Sequence, residues 1–187
     1  MPLLSKWLTK TRQARILGQV RGDVLELGCG NGTFYGLCRE RIGNYVGVDY
    51  SEKVIAEASA RFPEARFLKR NLESDELGFE AEFDCVLMIA LIEHIFNQGF
   101  LLQQCARALR PGGAILLTTP TPFGNDVVHR IGAELGLFHK SAMDDHIVIY
   151  NKKRFQTAAR EFGLSLGRYE TFQLGCNQLA VLEKRAA

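Results

Sequence analysis

The sequence predicts an α/β fold, a mainly parallel sheet with helices on both faces, and three observations carry that prediction. Short apolar runs alternate with longer amphipathic stretches through residues 24–119, which is the pattern of βαβ units. The run Phe83-Asp84-Cys85-Val86-Leu87-Met88-Ile89 is almost continuously apolar, as expected of a central strand covered on both faces. The run Val24-Leu25-Glu26-Leu27 stops at three alternating glycines, Gly28, Gly30 and Gly32, and a second apolar run closes on Asp49. Strand, glycine turn, helix, strand and acid is the plan of a nucleotide-type binding site at the edge of a parallel sheet.

Each element has its own signal. Residues 3–20 read as a helix: Leu3, Leu4, Trp7 and Leu8 share a face, and Lys6, Lys10, Arg12 and Arg15 carry charge. Packing on its own domain is the plain role for such a helix, with a lid over the site or weak contact with a membrane surface as alternatives. Strands are expected at 24–28, 45–49, 65–70, 83–89 and 113–119, with helices at 32–41, 52–62 and 97–109 and a short turn of helix at 74–80. Ser51 is the expected N-cap of the helix at 52–62. Arg110-Pro111-Gly112-Gly113 stops the helix before the fifth strand, because proline and glycine disfavour its continuation. A helix from about 124 to 136 follows the break at Thr119-Pro120-Thr121-Pro122, and another spans 152–162 between an Asn151 N-cap and a Gly163 stop. Closing strands at 165–172 and 176–183 are too close for a parallel crossover, so they form an antiparallel hairpin.

Composition narrows the function classes. A chain of 187 residues suits one domain, 1–187. A net charge of +2 gives no basic field for nucleic acid. Five scattered cysteines without a Cys-x-x-Cys pair favour free thiols in a reducing compartment over a zinc site. The N-terminus has no signal-peptide pattern and the longest apolar run, Cys85 to Ile92, cannot cross a bilayer. The expectation is a cytoplasmic protein without stable membrane insertion, of open oligomeric state.

The residues of the predicted site have physical roles. Glycines let backbone N–H groups approach a ligand, and the start of the next helix adds a positive end. A carboxylate at the end of the second strand, Asp49, can accept two hydrogen bonds from ribose hydroxyls. Tyr50 can stack on a base. Glu26, in an otherwise apolar strand, needs a partner to justify its burial.

Five blocks, in order, resemble a class I S-adenosylmethionine-dependent methyltransferase of the small single-domain kind, of the methyltransferase-11/23 type. They are Val24 to Gly32, Val46-Gly47-Val48-Asp49-Tyr50-Ser51, Phe67-Leu68-Lys69-Arg70-Asn71-Leu72, Phe83 through Ile92-Glu93-His94-Ile95, and Leu109-Arg110-Pro111-Gly112-Gly113. The resemblance implies a Rossmann-like seven-stranded sheet of order 3-2-1-4-5-7-6 with the last strand antiparallel. It implies S-adenosyl-L-methionine as cofactor, held by Glu26, Gly28, Cys29, Gly30, Asp49, Tyr50, Asn71, Leu72 and Ile89. Glu26 would lie near the cofactor's ammonium or its bound water. Asn71 stands where the family often has Asp; its side chain or the Leu72 main chain would read the adenine. Some quinone-precursor O-methyltransferases in the family carry Glu-x-x-Glu-His at the fourth block and can hold a divalent metal there. This chain has Ala90 at the first carboxylate position, so Glu93 and His94 are a poor metal site and no metal is expected. A dehydrogenase is disfavoured, because the third glycine falls at 32, one place early for the dinucleotide fingerprint, and position 33 is Thr.

Function then reads as methyl transfer to a small-molecule acceptor. The alternatives are an inactive cofactor-binding protein acting as an assembly partner and, behind it, an NAD-dependent oxidoreductase. Candidate bases are His94 and the histidines of segment 120–150, His129, His139 and His146, with Glu93, Asp144, Asp145 and Tyr150 behind them. His146 is preferred because Asp144 and Asp145 stand beside it and can raise its basicity. The segment 120–150, following the fifth strand, and the N-terminal helix are the expected roof of the acceptor site.

Overall fold

The computed structural model describes residues 3–125 and 148–186. In chain order they form α1 (Leu3–Leu17), β1 (Val24–Leu27), α2 (Tyr35–Cys38), β2 (Tyr45–Asp49), α3 (Glu52–Arg61), β3 (Arg66–Lys69), β4 (Phe83–Ile89), α4 (Gln98–Ala108), β5 (Leu109–Pro120), α5 (Lys152–Glu161), β6 (Leu164–Phe172) and β7 (Asn177–Lys184). The seven strands make one sheet of order β3-β2-β1-β4-β5-β7-β6. All neighbours are parallel up to β5, and β7 runs antiparallel to both β5 and β6. Both the α/β class and the predicted strand order are therefore present.

Side chains alternate across the sheet, as strands require, and feed two cores. On one face Val24, Tyr45, Leu87, Leu116 and Leu179 pack against Ile16 of α1, Tyr35 of α2 and Phe62 after α3. On the other, Leu25, Val48, Met88, Leu117 and Leu182 pack against Leu101 and Cys105 of α4 and Phe155 of α5. Within β4, Cys85 to Met88 are all buried, two toward each core, which is why that segment reads as continuously apolar.

Several expected elements differ in extent, each for a local reason. The helix expected at 32–41 is a four-residue α2 followed by a tighter 3-10 turn at Arg39–Arg41, because Gly32 keeps a left-handed backbone (φ 73°) that delays the helix start. The turn of helix expected at 74–80 does not form. Leu72, Leu77 and Phe79 instead drop into the core from an irregular segment, and the buried Gln104 side chain accepts from Leu77 N–H. Ser51 holds the expected N-cap position of α3, but its side chain makes no cap hydrogen bond; its own N–H donates to Asp49 Oδ1 at 3.0 Å. The strand expected at 113–119 begins at Leu109, with a register shift opposite Phe83/Cys85 that absorbs Arg110 to Gly113. The caps at α5 are as expected: Asn151 accepts Arg154 N–H at 2.9 Å, and Gly163 follows at φ 70°. Most of the helix expected at 124–136 lies outside the described residues.

α1 packs on its own domain. Ile16 is fully buried, Arg15 meets Glu170 at 3.4 Å and Phe172 at 5.6 Å, and Gln173 donates to the Leu8 carbonyl at 3.4 Å. Gln173 opens the β6–β7 turn, which lies beside Thr121 just after β5. The N-terminal half of α1 thus reaches the carboxyl edge of the sheet, where ligands bind in folds of this kind.

Candidate functional site

At that edge a cleft of about 400 Å³ opens between the β1, β2 and β4 ends, lined by Gly28, Asp49, Tyr50, Asn71, Leu72, Glu73, Leu91, His94 and Ile95. This is within the range of small-molecule sites, roughly 300–1,000 Å³. A larger groove of about 650 Å³ runs along the opposite, amino edge, past Gly112, Ala114 and Lys184, but it contains none of the expected binding residues.

The glycine turn is fixed from below. Gly28 N–H and Cys29 N–H both donate to the Val48 carbonyl, at 2.8 and 3.0 Å, which folds the turn back over β2. Gly28 has φ 72°, and a Cβ there would lie 3.0 Å from Leu91 in the cleft wall. Gly30 has φ 53°, and a Cβ there would meet nothing within 4 Å. The turn therefore leaves open space over its own backbone, as a ligand that approaches the main chain closely requires.

Asp49 joins three elements. Its Oδ2 accepts Gly30 N–H at 3.0 Å and its Oδ1 accepts Ser51 N–H at 3.0 Å. An ionised carboxylate offers about four acceptor sites, so each oxygen keeps capacity for a further donor such as a ribose hydroxyl. Tyr50 beside it is 76% exposed, a free ring at the cleft rim.

Asn71 is partly committed. Its Oδ1 accepts Glu73 N–H at 3.1 Å, and its own N–H is taken by Asp75 at 2.8 Å. Glu73 was not foreseen; it accepts Phe96 N–H and Asn97 N–H at 2.7 and 2.9 Å, tying the loop after β3 to the start of α4. Leu91 and Ile95, also unforeseen, supply apolar wall. No pattern in the sequence marks these three, since their role comes from the turn after β4.

Glu26, Cys29, Gly30, Ile89 and Glu93 are not among the lining residues. Glu26 lies beneath the turn, buried, and accepts a hydrogen bond from the Tyr45 hydroxyl. Burial pushes its carboxyl up to about 8; the Tyr45 hydroxyl opposes this and the Asp49 charge adds to it. The Cys29 thiol is held protonated by burial and by the Glu26 and Asp49 charges. Ile89 ends β4 behind the cleft, packed against the α1-side core. His129, His139, His146, Asp144 and Asp145 lie outside the described residues.

A carboxyl raised in this way binds a proton in the folded chain that the unfolded chain releases. Its stabilising contribution is complete below about pH 4.5 and is lost as pH rises through about 8. Glu26→Gln keeps the shape and an acceptor for Tyr45 but cannot ionise. We expect the variant to melt higher than the wild type at pH 8 and to show a flatter melting-temperature profile between about pH 5 and pH 8. A wild-type profile as flat as the variant's would contradict the buried, proton-holding Glu26.

Glu93 is 1% exposed and follows β4, in the turn with His94. Burial raises its carboxyl, while its own main chain, His94, Thr119 and Arg12 act to keep it ionised. Ala90, three residues earlier, has φ 53°, and its N–H donates to the Thr118 carbonyl at 2.8 Å. A non-glycine residue held left-handed marks a turn that its surroundings over-determine. Among the described residues no group of three or more His, Cys, Asp or Glu is placed to hold a metal ion, and no helix is long and apolar enough to cross a membrane.

Comparison with known proteins agrees with this geometry. The model of a family described as a methyltransferase domain matches residues 4–167. A probable S-adenosylmethionine-dependent methyltransferase of Mycolicibacterium smegmatis is 38% identical over 98 residues, covering 52% of this chain and 38% of the relative. A ubiquinone biosynthesis O-methyltransferase of Dechloromonas aromatica is 33% identical over 100 residues, covering 51% and 43%. The chain thus spans less than half the length of these curated relatives. A solved S-adenosylmethionine-dependent methyltransferase of Mesorhizobium loti superposes with a TM-score of 0.76 at 18% identity, over 95% of this chain and 98% of that one. A putative methyltransferase of Haloferax volcanii, solved with the Trm112 methyltransferase activator, gives 0.76 at 19% identity, over 96% and 90%. With a family model over most of its length, the Rossmann-like sheet in the expected order and the glycine turn locked to Asp49, the chain belongs to the methyltransferase domain family of class I S-adenosylmethionine-dependent enzymes.

Proposed function

We propose that this chain transfers a methyl group from S-adenosylmethionine to a small-molecule acceptor. The observation that carries the reading is the carboxyl-edge cleft, lined by Gly28 and by Asp49, whose unspent acceptor capacity lies one hydrogen bond from the open backbone of Gly30 in the same turn. When bound, the cofactor supplies an activated methyl on its sulfonium. What remains for the protein is to hold donor and acceptor aligned and close. In this reading Asp49 takes the ribose hydroxyls, Tyr50 covers the adenine, and Asn71 with Leu72 reads its edge. Gly28, Cys29 and Gly30 form the cradle for the methionine part, and Ile89 backs it. The N-terminal half of α1 covers the acceptor, and His146, Glu93 and His94 are the candidate catalytic groups. Relatives named for ubiquinone biosynthesis O-methylation support an acceptor of small-molecule size. The test is incubation of the chain with methyl-labelled cofactor and a metabolite extract. Transfer of label to a small molecule supports the reading, and cofactor binding without any labelled product favours the assembly-partner alternative.

Glu26 extends the same proposal. A cofactor ammonium nearby favours the ionised carboxylate, so binding near neutral pH is expected to expel the proton that Glu26 otherwise holds. Calorimetry in buffers of different ionisation enthalpy measures this release, which Glu26→Gln should abolish. Metal is a separate matter. With Ala90 in place of a carboxylate, Glu93 and His94 offer two ligands where a divalent ion needs more. Turnover is expected to survive EDTA, and a magnesium requirement restored on addition would contradict it.

A further inference from the structure

Among the described residues the exposed large apolar side chains are Trp7, Leu37, Tyr50, Phe96, Phe123 and Leu174. Leu37 sits on α2. The others gather at the carboxyl edge of the sheet, the edge on which the cleft opens. Tyr50 follows β2, Phe96 follows the turn after β4, and Phe123 follows β5. Leu174 follows β6, which runs parallel to β5 because β7 is antiparallel to both. Trp7 arrives on α1. Exposed apolar residues scattered singly are ordinary, but their concentration on one edge marks a contact surface.

Hydrogen bonds hold three of these side chains close together. Arg12 Nε and Nη2 donate to Asn177 Oδ1 at 3.0 and 2.8 Å, and Gln173 donates to the Leu8 carbonyl at 3.4 Å. The part of α1 that carries Trp7 is thereby pinned beside the β6–β7 turn. Thr121 N–H donates to the Cys176 carbonyl at 3.0 Å, and the Thr121 hydroxyl to the Gly175 carbonyl at 2.6 Å. The segment that carries Phe123 is thereby set against the same turn. Cys176 N–H closes that turn on the Gln173 carbonyl at 3.1 Å, and its central residues, Leu174 and Gly175, have φ 57° and 82°. Two left-handed central residues favour the pair Asn-Gly, and a bulky side chain is strained there. Leu174 is 98% exposed, so no packing within the chain offsets the strain.

The charges of this edge are mainly positive. The first turn of α5 carries Lys152, Lys153 and Arg154, all exposed, and no acid. A helix N-terminus favours anions and disfavours cations, so an external anion would relieve this turn. It lies at the carboxyl edge, because one Gln178 amide donates both to the Tyr150 carbonyl and to the Pro120 carbonyl at the end of β5. Exposed Lys10 of α1 adds a further cation. The carboxylates described here are engaged. Asp49, Glu73 and Asp75 accept backbone N–H groups, Glu52 pairs with Lys69, and Glu93 is buried.

We propose that the carboxyl edge docks on an anionic lipid surface. Trp7, Phe123 and Leu174 enter the boundary between headgroups and acyl chains, and Lys10, Lys152, Lys153 and Arg154 lie against the headgroups. Apolar tips on separate turns suit a fluid surface, which needs no matching shape. An indole, apolar with one polar N–H, belongs at such a boundary. Apolar burial and attraction to anionic headgroups add. A second copy is disfavoured, since two like-charged edges would face each other. The contact is peripheral, and the cleft then opens toward lipid. Docking does not depend on the methyl-transfer reading.

The test uses the intact chain with vesicles of phosphatidylcholine alone and of phosphatidylcholine mixed equally with phosphatidylglycerol. Trp7 is the only tryptophan, so its emission reports this edge directly. Co-sedimentation with the anionic vesicles is expected, with a blue shift of Trp7 emission and quenching by brominated acyl chains. Replacing Lys152 and Lys153 together by Gln should weaken binding to the anionic vesicles on the order of 10-fold and change binding to neutral ones little. Leu174→Asn should move two measurements in opposite senses. Partitioning falls roughly 5- to 10-fold, while the melting temperature rises by about 1–4 °C because Asn-Gly suits the turn. Vesicles that leave the chain in solution overturn the proposal and favour a protein partner. Binding without a change in Trp7 emission overturns it by placing the contact on another face. Partitioning undiminished by Leu174→Asn, or a lowered melting temperature, removes the outward role of Leu174 and overturns it too. A vesicle-free blue shift that grows with protein concentration, with a dimer in light scattering, assigns the edge to a second copy instead. Calorimetry with S-adenosylmethionine in the absence of lipid is a separate readout: failure there sinks the methyl-transfer reading and leaves the docking standing.

Discussion

Replacing Asp49 by Ala is expected to weaken S-adenosylmethionine binding by about 1–3 kcal/mol, roughly 5- to 150-fold, while leaving the chain folded. Two losses combine. The ribose loses its acceptor, and the glycine turn loses its tie to the start of α3, since Gly30 N–H and Ser51 N–H both end on this carboxylate. Asp49→Asn separates them: it keeps one oxygen acceptor and loses the charge and the second oxygen, so its affinity should fall between wild type and Ala. Calorimetric titration of the three proteins checks the order. Equal affinity for wild type and Asp49→Ala would place the ribose elsewhere.

The largest expected effect on stability is at Phe155. This ring is fully buried in α5, stacks on Tyr150 at 4.5 Å and lies 6.5 Å from Tyr169 of β6. It anchors α5 to the β4-β5-β7 half of the sheet. Phe155→Ala is expected to cost about 3–5 kcal/mol, lowering the melting temperature by roughly 6–20 °C for a domain of this size. The cofactor cleft is built by the β1–β4 half, so binding by the protein that remains folded should change little. Denaturant unfolding beside cofactor titration measures both. A change under about 1 kcal/mol would show that the space refills, which a well-packed core resists.

How much of this was legible in the sequence depends on where the cause of each feature lies. β4 and the α5 caps were visible because burial on two faces and an Asn-to-Gly bracket are written in consecutive residues. Gly28, Asp49, Tyr50, Asn71, Leu72 and His94 were found as motif members, and the fold brings all six to one cleft. The failures share a physical reason. Ser51 does hold the N-cap position of α3, but its side chain makes no cap hydrogen bond, and its own N–H is spent on Asp49 at the end of β2. The long helix expected after the glycine turn shrank to four residues because Gly32 keeps its left-handed backbone. Glu73 and Arg12 carry no local signal at all. The first matters because α4 begins beside it; the second matters because β7 returns antiparallel and sets Asn177 against α1. Such residues become recognisable only when strands distant in sequence lie side by side.

The most direct test of the central claim is a calorimetric titration of the intact chain with S-adenosylmethionine, its demethylated product and NAD. The account predicts one-to-one binding of the first two, weakened in Asp49→Ala, and no heat from NAD. Binding of NAD without S-adenosylmethionine would contradict the assignment of the cleft and every chemical step built on it.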